Sequence, residues 1–173
     1  VRVTEILNNL EIPYLITGGI AVLVWGRPRF TADIDIVVEL RRTHLLNLVK
    51  KLRDLGEDSY IDQISAEKAL LSKGEFNFID GETGVKVDFW VLRDDLFDKS
   101  RLKRRVEKEV LGKKVHFSSP EDLILSKLLW YKKSGSSRHL EDIESVLKIQ
   151  KKLDLNYLKW ISKAQLTFDL LTS

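Results

Sequence analysis

The stretch LITGGIAVLVWGRPRFTADIDIVVEL, residues 15–40, decides the fold. Two adjacent glycines, Gly18 and Gly19, separate a short apolar run from the apolar segment 20–25. After an interval of thirteen residues (20–32) a second apolar run opens with Asp33 and Asp35 around a single isoleucine. An ionised carboxylate is costly to bury without a partner, so two of them at the head of a strand imply a cation nearby. Residues 14–17 read as a strand, the glycines turn it into a helix over 20–25, and 33–39 read as a second strand. Side chains alternate along a strand, which places Asp33 and Asp35 on one face about 6.6 Å apart and turns Ile34 and Ile36 to the core. Glycines at the strand-to-helix turn let an anion approach the open N–H groups and the positive end of the helix. A Gly-Gly pair alone is explained by a turn, but here it stands one helix away from the paired carboxylates.

Further along, EFNFIDGETGVKVDFWVL, residues 75–92, holds two strand-like runs around Gly81, Glu82, Thr83 and Gly84, the pattern of a hairpin with a four-residue loop. In its second half Val85, Val87, Phe89 and Val91 form the apolar face, which leaves Asp88 on the opposite face with Lys86 and Trp90. The plain reading of Asp88 is an ion pair with Lys86 or with a basic residue elsewhere. If this strand neighbours the one carrying Asp33 and Asp35, the three carboxylates make an oxygen-rich cluster suited to Mg²⁺. Such a cluster holds two ions about 3.5 to 4 Å apart, one activating an attacking hydroxyl and one stabilising a leaving pyrophosphate. That chemistry needs neither cysteine, which is absent, nor histidine: His44, His116 and His139 are scattered without metal spacing and read as surface residues.

Helices and strands alternate through the first two thirds. A short helix is expected over 4–10, a helix over 43–55 capped by Thr43 and closed by Gly56, and a strand over 113–117. Then Ser119, Pro120, Glu121 and Asp122 form a strong helix start, Gly135 to Ser137 break that helix, another follows over 138–149, and Asp154 caps a last one. This predicts an α+β fold in which residues 1–117 form a catalytic core and residues 118–173 a C-terminal helical part. At 173 residues, 43% hydrophobic and 32% charged, the chain has the composition of an ordinary globular protein. No apolar stretch is long enough for a membrane span and no basic-then-apolar leader opens the chain, so a cytoplasmic location is expected. The net charge of +3 is concentrated between Lys99 and Lys114, which reads as a solvated helix face or, alternatively, as a docking surface for a polyanion.

The combination of hydrophobic-Gly-Gly at Gly18 and Gly19, Asp-hydrophobic-Asp at Asp33 and Asp35, and a later hydrophobic-Asp-hydrophobic at Asp88 resembles the nucleotidyltransferases that share the DNA polymerase β-type palm. With RPRFTADIDIVV and EDLILSKLLWYKKSGSSRHLEDIESVL, it looks most like the small nucleotidyltransferases related to the AbiEii/AbiGii toxins, over residues 12–150. The resemblance implies a palm of mixed β-sheet flanked by helices and followed by helices. It also implies Mg²⁺ held by Asp33, Asp35 and Asp88, and an NTP held by Gly18, Gly19 and Lys127. Without it, Lys127 is an ordinary lysine on an amphipathic helix. Gly19 stands where many relatives carry serine, and Thr17 or Thr31 is the hydroxyl at hand to replace it. Arg29, in the loop before Asp33 with Arg27, either neutralises phosphate or solubilises the loop. The expected reaction is transfer of NMP from NTP to a hydroxyl of an RNA, tRNA in particular, or of a protein, in a toxin–antitoxin setting with a protein partner. The rival is a non-catalytic antitoxin or binding module of the same fold acting through a partner. A haloacid dehalogenase-type phosphatase is set aside because its aspartates follow the apolar strand, whereas here the apolar run follows the aspartates.

Overall fold

The computed structural model describes residues 1–172. The order of elements is α1 (Arg2–Asn9), β1 (Tyr14–Thr17), α2 (Gly18–Trp25), β2 (Asp33–Val38), α3 (Arg42–Arg53), β3 (Tyr60–Ile61), α4 (Gln63–Ser72), β4 (Glu75–Ile79) and β5 (Lys86–Val91). After these come α5 (Leu96–Lys103), β6 (Val106–Val110), β7 (Lys113–Phe117), α6 (Pro120–Ser134), α7 (Ser137–Ile149), α8 (Leu155–Ala164) and α9 (Phe168–Thr172). The strands form one seven-stranded sheet in the order β3-β4-β5-β2-β1-β7-β6. It is mixed: β2 runs antiparallel to β1 and parallel to β5, and β1 runs parallel to β7. The α+β class expected from the alternation of elements is therefore the one observed.

Period-two alternation explains how the sheet is covered. On β5 the residues Val87, Phe89 and Val91 are buried, and Phe89 stacks on Phe76 of β4 with ring centroids 4.9 Å apart. They join one apolar cluster with Leu7 of α1, Ala21 and Val22 of α2, Leu48 and Leu52 of α3, and Leu123, Ile124, Leu125 and Leu128 of α6. Ile143 and Val146 of α7 and Leu158 and Ile161 of α8 belong to the same cluster, so sheet and C-terminal helices share a core. A second, small cluster lies with the other face, where Leu102 of α5 joins Leu15, Val37, Leu92 and the partly buried Trp90. Among the described residues no helix is long and apolar enough to cross a membrane.

Where the chain departs from the expectations, local chemistry explains it. Six residues, 80–85, separate β4 from β5, and the four expected in the turn lie between Asp80 and Val85, where Asp80 N–H donates to Val85 O at 3.0 Å. Helix α3 begins one residue before Thr43, with Arg41 at the cap and no side-chain cap bond, and ends at Arg53 with Asp54 rather than Gly56 as its cap. Ser119 and Asp154 do cap their helices, accepting from Asp122 N–H and Tyr157 N–H. Residues 99–114 are not one solvated helix face: they hold the end of α5, β6 and the turn into β7. Arg101 pairs with Asp98 at 2.7 Å, Lys113 with Glu5 at 2.7 Å and Lys114 with Glu107 at 3.1 Å, while Lys108 lies 4.5 Å from the centre of the Trp25 ring.

Arg104 belongs to a polar knot that fixes α5, α6 and α8 together. It pairs with Glu121 at 3.3 Å and stacks 3.9 Å from the centre of the Tyr157 ring. The Tyr157 hydroxyl donates to Asp122 Oδ1 at 2.6 Å, and Ser119 Oγ donates to Asp122 Oδ2 at 2.6 Å. Asp122 is fully buried, and burial pushes its carboxyl above the usual range. Tyr157→Phe removes a donor from that carboxylate and should cost about 1–3 kcal/mol. Urea unfolding of the two proteins measures it; equal midpoints would show that Asp122 does not depend on Tyr157.

Candidate active site

Three carboxylates and one ammonium form a block on β2 and β5. The parallel register sets Asp33 opposite Lys86 and Asp35 opposite Asp88. Alternation then puts all four side chains on one face of the sheet. The two strands are thus neighbours, the condition on which a meeting of the carboxylates depends, and Asp88 is paired: Lys86 Nζ lies 2.8 Å from its Oδ1 and 2.9 Å from its Oδ2. Asp35 accepts from Trp90 Nε1 at 3.3 Å. Burial pushes the Asp35 carboxyl up, the charges of Asp88 and Asp33 push it further, and the Trp90 bond and Lys127 oppose them.

The glycines are explained by the same carboxylate. Gly18 has φ of +64°, and a Cβ built on it would stand 1.8 Å from Asp35 Oδ2. A Cβ on Gly19 would stand 2.4 Å from Thr31 Oγ1, whose hydroxyl donates to Asp33 O at 3.3 Å. Only residues without a side chain let the first turn of α2 close against Asp35 and Thr31. The helix start carries no side-chain cap: Thr17 precedes it in an extended conformation and makes no cap bond. Its first-turn N–H groups remain open, as helix termini leave them. Gly19, Thr31, Gly18 and Asp35 are therefore brought together.

Lys127 and Arg29 are brought together by Asp142, at the end of the Arg138 to Asp142 stretch that resembles the family's later helix and to which the sequence assigns no role. Asp142 of α7 is 2% exposed and takes Arg29 through a two-pronged bond, Nε to Oδ1 at 2.6 Å and an Nη to Oδ2 at 2.7 Å. Lys127 Nζ lies 2.7 Å from the same Oδ2. Burial alone would raise the Asp142 carboxyl, but the bonds from Arg29 and Lys127 hold it below the usual range. Lys127 is 6% exposed, so the surface reading of that lysine fails. The loop carrying Arg29 is docked along α7: Arg27 N–H donates to Ser145 Oγ at 2.9 Å, and Arg138 donates to Phe30 O at 3.0 Å. A signal for Asp142 existed. It stands four residues before Val146 on a helix whose buried side also holds Ile143 and Ser145, an acid on an otherwise inward stripe.

Two cavities meet these groups from different sides. One of about 720 Å³ is lined by Gly18, Asp35, Trp90, Lys127, Trp130 and His139, with α5 and α8 beyond. His139 is thus not a plain surface residue; its ring lies 6.5 Å from that of Trp130, which meets Trp90 edge-on at 5.4 Å. Burial, and then Lys127, lowers the His139 pKa. The second cavity, of about 460 Å³, is lined by Asp88, Lys86, Asn77, Glu75, Tyr60 and Ser65, among others. Asp35 opens on the first cavity and Asp88 on the second. The donor set of carboxylates alone fits a hard, oxygen-seeking cation. Among the described residues no three acidic or imidazole groups stand gathered to hold one, and both oxygens of Asp88 are engaged by Lys86.

A family model described as nucleotidyltransferase of unknown function, DUF6036, matches residues 2–171. The chain belongs to this nucleotidyltransferase family. The fold of the nucleotidyltransferase is similar to that of ANT(2″)-Ia, solved in complex with adenylyl-2″-tobramycin, with a TM-score of 0.63 and 15% identity over 95% of this chain and 94% of that one. It is also similar to the lincosamide antibiotic adenylyltransferase LnuA, solved with lincomycin bound, with a TM-score of 0.54 and 17% identity over 85% and 93% of the two chains. A nucleotidyltransferase-like protein from Paracoccidioides brasiliensis shares the fold at a TM-score of 0.54 and 22% identity, over 83% of this chain and 69% of that one. At these identities the likeness shows the fold. No curated protein matches the chain. The comparisons support the nucleotidyltransferase superfamily, a coarser assignment than the AbiEii/AbiGii-related group that the motifs resemble.

Two outcomes follow from the electrostatics. The folded state holds Asp35 above its ordinary value, so ionising it costs stability at neutral pH and nothing below the unfolded value of about 3.9. Asp35→Asn should therefore raise the urea midpoint at pH 7, and the gain should fade as pH falls through the raised folded value and be gone below the unfolded one; equal gains at pH 7 and below the unfolded value would contradict the assignment. Asp142→Asn leaves Lys127 and Arg29 short of their counter-charge and should cost about 2–3 kcal/mol, less than a fully buried pair because Arg29 keeps some solvent. Thermal and urea unfolding at neutral pH measure that loss.

Proposed function

We propose that this nucleotidyltransferase moves a nucleoside monophosphate from an NTP to an acceptor hydroxyl in a reaction dependent on Mg²⁺. The observation that carries the reading is the register that sets Asp35 beside Asp88, each facing its own cavity. In-line displacement at phosphorus needs nucleotide and acceptor on opposite sides of the α-phosphorus, and two cavities separated by a carboxylate pair supply two such approaches. The larger cavity, with Gly18 and Lys127, takes the nucleotide; the smaller, with Asp88, admits the acceptor.

In this reading Asp33, Asp35 and Asp88 hold Mg²⁺, which when bound neutralises charge on the phosphates and makes the acceptor hydroxyl more acidic. The open N–H groups at Gly18 and Gly19 receive phosphate oxygens, with Thr31 close by. Lys127 and Arg29, held by Asp142, supply positive charge to the triphosphate. Asp88 takes the acceptor's proton as the new P–O bond forms and the bond to the bridging oxygen of pyrophosphate breaks. Residues 1–117 then supply the carboxylates, the glycine turn and Arg29, and residues 118–173 supply Lys127, Asp142 and part of the cavity wall.

The acceptor proposed on the family resemblance is an RNA, with tRNA first, or a protein, in a toxin–antitoxin setting with a protein partner. A second reading, a small hydroxylated molecule, is favoured by the 460 Å³ size of the acceptor-side cavity. Tobramycin and lincomycin in two of the similar folds add support to that reading. The test offers each α-labelled NTP with Mg²⁺ to total RNA, cell protein and a small-molecule extract, beside Asp33→Ala. That variant keeps its fold because it relieves carboxylate repulsion. Label should enter one acceptor class and fall at least about 100-fold in the variant. No label from any NTP, together with no binding of Mg²⁺-NTP, would return the chain to the rival of a partner-binding module.

A further inference from the structure

Lys86 stands at the fourth corner of the carboxylate block, opposite Asp33 on β2 and two residues before Asp88 on its own strand. Its ammonium is within hydrogen-bond distance of both Asp88 oxygens. The ammonium therefore engages the whole Asp88 carboxylate in the metal-free protein. It is not trapped there. The Lys86 side chain is 41% exposed and lines the acceptor-side cavity together with Glu75, which offers it a second carboxylate. An ion pair with one partner this exposed can be exchanged for another cation.

We infer that Lys86 is an internal counter-ion that holds Asp88 in the metal-free protein and yields it to the divalent cation. The acceptor-side carboxylate is then released only when metal is bound. This rests on the reading of Asp33, Asp35 and Asp88 as metal ligands. Two cations then compete for one pair of oxygens, and the resident one is covalently tethered. Electrostatics alone gives the direction of the effect. Removing the tethered competitor tightens metal binding, and keeping its charge in another form preserves the competition.

The experiment titrates Mn²⁺ into the nucleotide-free protein and follows free Mn²⁺ by electron paramagnetic resonance, a readout that needs no turnover. Lys86→Gln should bind Mn²⁺ roughly three- to fivefold more tightly than the parent, the fold-change equivalent to losing a partly exposed ion pair. Lys86→Arg should bind like the parent. Lys73→Gln, which removes a charge lining the other cavity, should also match the parent. Circular dichroism melts establish that each variant is folded. Equal affinity in the parent and Lys86→Gln overturns the role of Lys86 while leaving the metal site standing, and so does equal tightening in Lys73→Gln. No uptake of Mn²⁺ by any of the proteins overturns the metal-site reading, and this inference with it.

Discussion

The Asp35 carboxylate lies where a Cβ on Gly18 would stand, and much of the architecture follows from that approach. A half-buried carboxylate in the middle strands of a sheet is unfavourable unless something surrounds it. Here Trp90 donates to one oxygen, Lys127 acts through space, and the open first turn of α2 closes against the other. A side chain at Gly18 would push α2 away from β2 and separate the helix start from the carboxylates. The left-handed φ of +64° at that residue reinforces the demand for glycine, because other residues pay strain there. What looks in the sequence like a turn is a steric condition for closing the first turn of α2 against the Asp35 carboxylate.

The C-terminal helices enter this site through charge. Asp142 lies on a helix far along the chain, yet its two oxygens collect Arg29 from the loop before β2 and Lys127 from α6. The same loop is fastened to α7 by Arg27 and Arg138. The path of the chain into Asp33 and Asp35 is therefore set from outside the sheet. The Arg104, Asp122 and Tyr157 knot does comparable work for the cavity wall formed by α5, α6 and α8. Both are buried polar arrangements in which each member has a charged or hydrogen-bonded counterpart, the condition under which such groups give a unique arrangement instead of a loose one.

How much of this was legible depended on whether the signal was local. Asp33, Asp35 and Asp88 were legible because a carboxylate within an apolar strand contradicts the strand's own pattern, and alternation assigns its face without any tertiary knowledge. Their pairing in register required the neighbour relation of β2 and β5, which the sequence only permitted. Helix α4 escaped notice because its buried side is built largely from Ala66 and Ala69, a faint apolar stripe. Helix α5 and β6 were hidden by charge: Asp98 and Arg101 neutralise one another in the interior, and the alternation in VEKEV is between partly buried and exposed positions, not between apolar and polar ones. Thr43 resembles a cap since a hydroxyl before an apolar stripe is the usual sign, but the helix already begins at Arg42 and takes no side-chain cap bond. Lys127 could not be distinguished from a surface lysine until Asp142 was placed beside it, since a lone basic residue on a helix carries no record of its partner.

The charges around the site fall into two groups with opposite excess. Asp33, Asp35 and Asp88 against Lys86 leave a surplus of negative charge; Arg29 and Lys127 against Asp142 leave a surplus of positive charge. Each group is compensated enough to persist in the folded chain, because a partner inside the group offsets part of the desolvation that an isolated charge would suffer. Neither is compensated fully. A metal-bound triphosphate is itself divided in this way, with a cation at one part and a polyanion at the other, and in the proposed reading it completes both groups in one event. A free anion would satisfy only the Arg29 and Lys127 group, and a free cation only the carboxylates. Discrimination in favour of the combined ligand then arises from leaving two sets of charges each about one partner short.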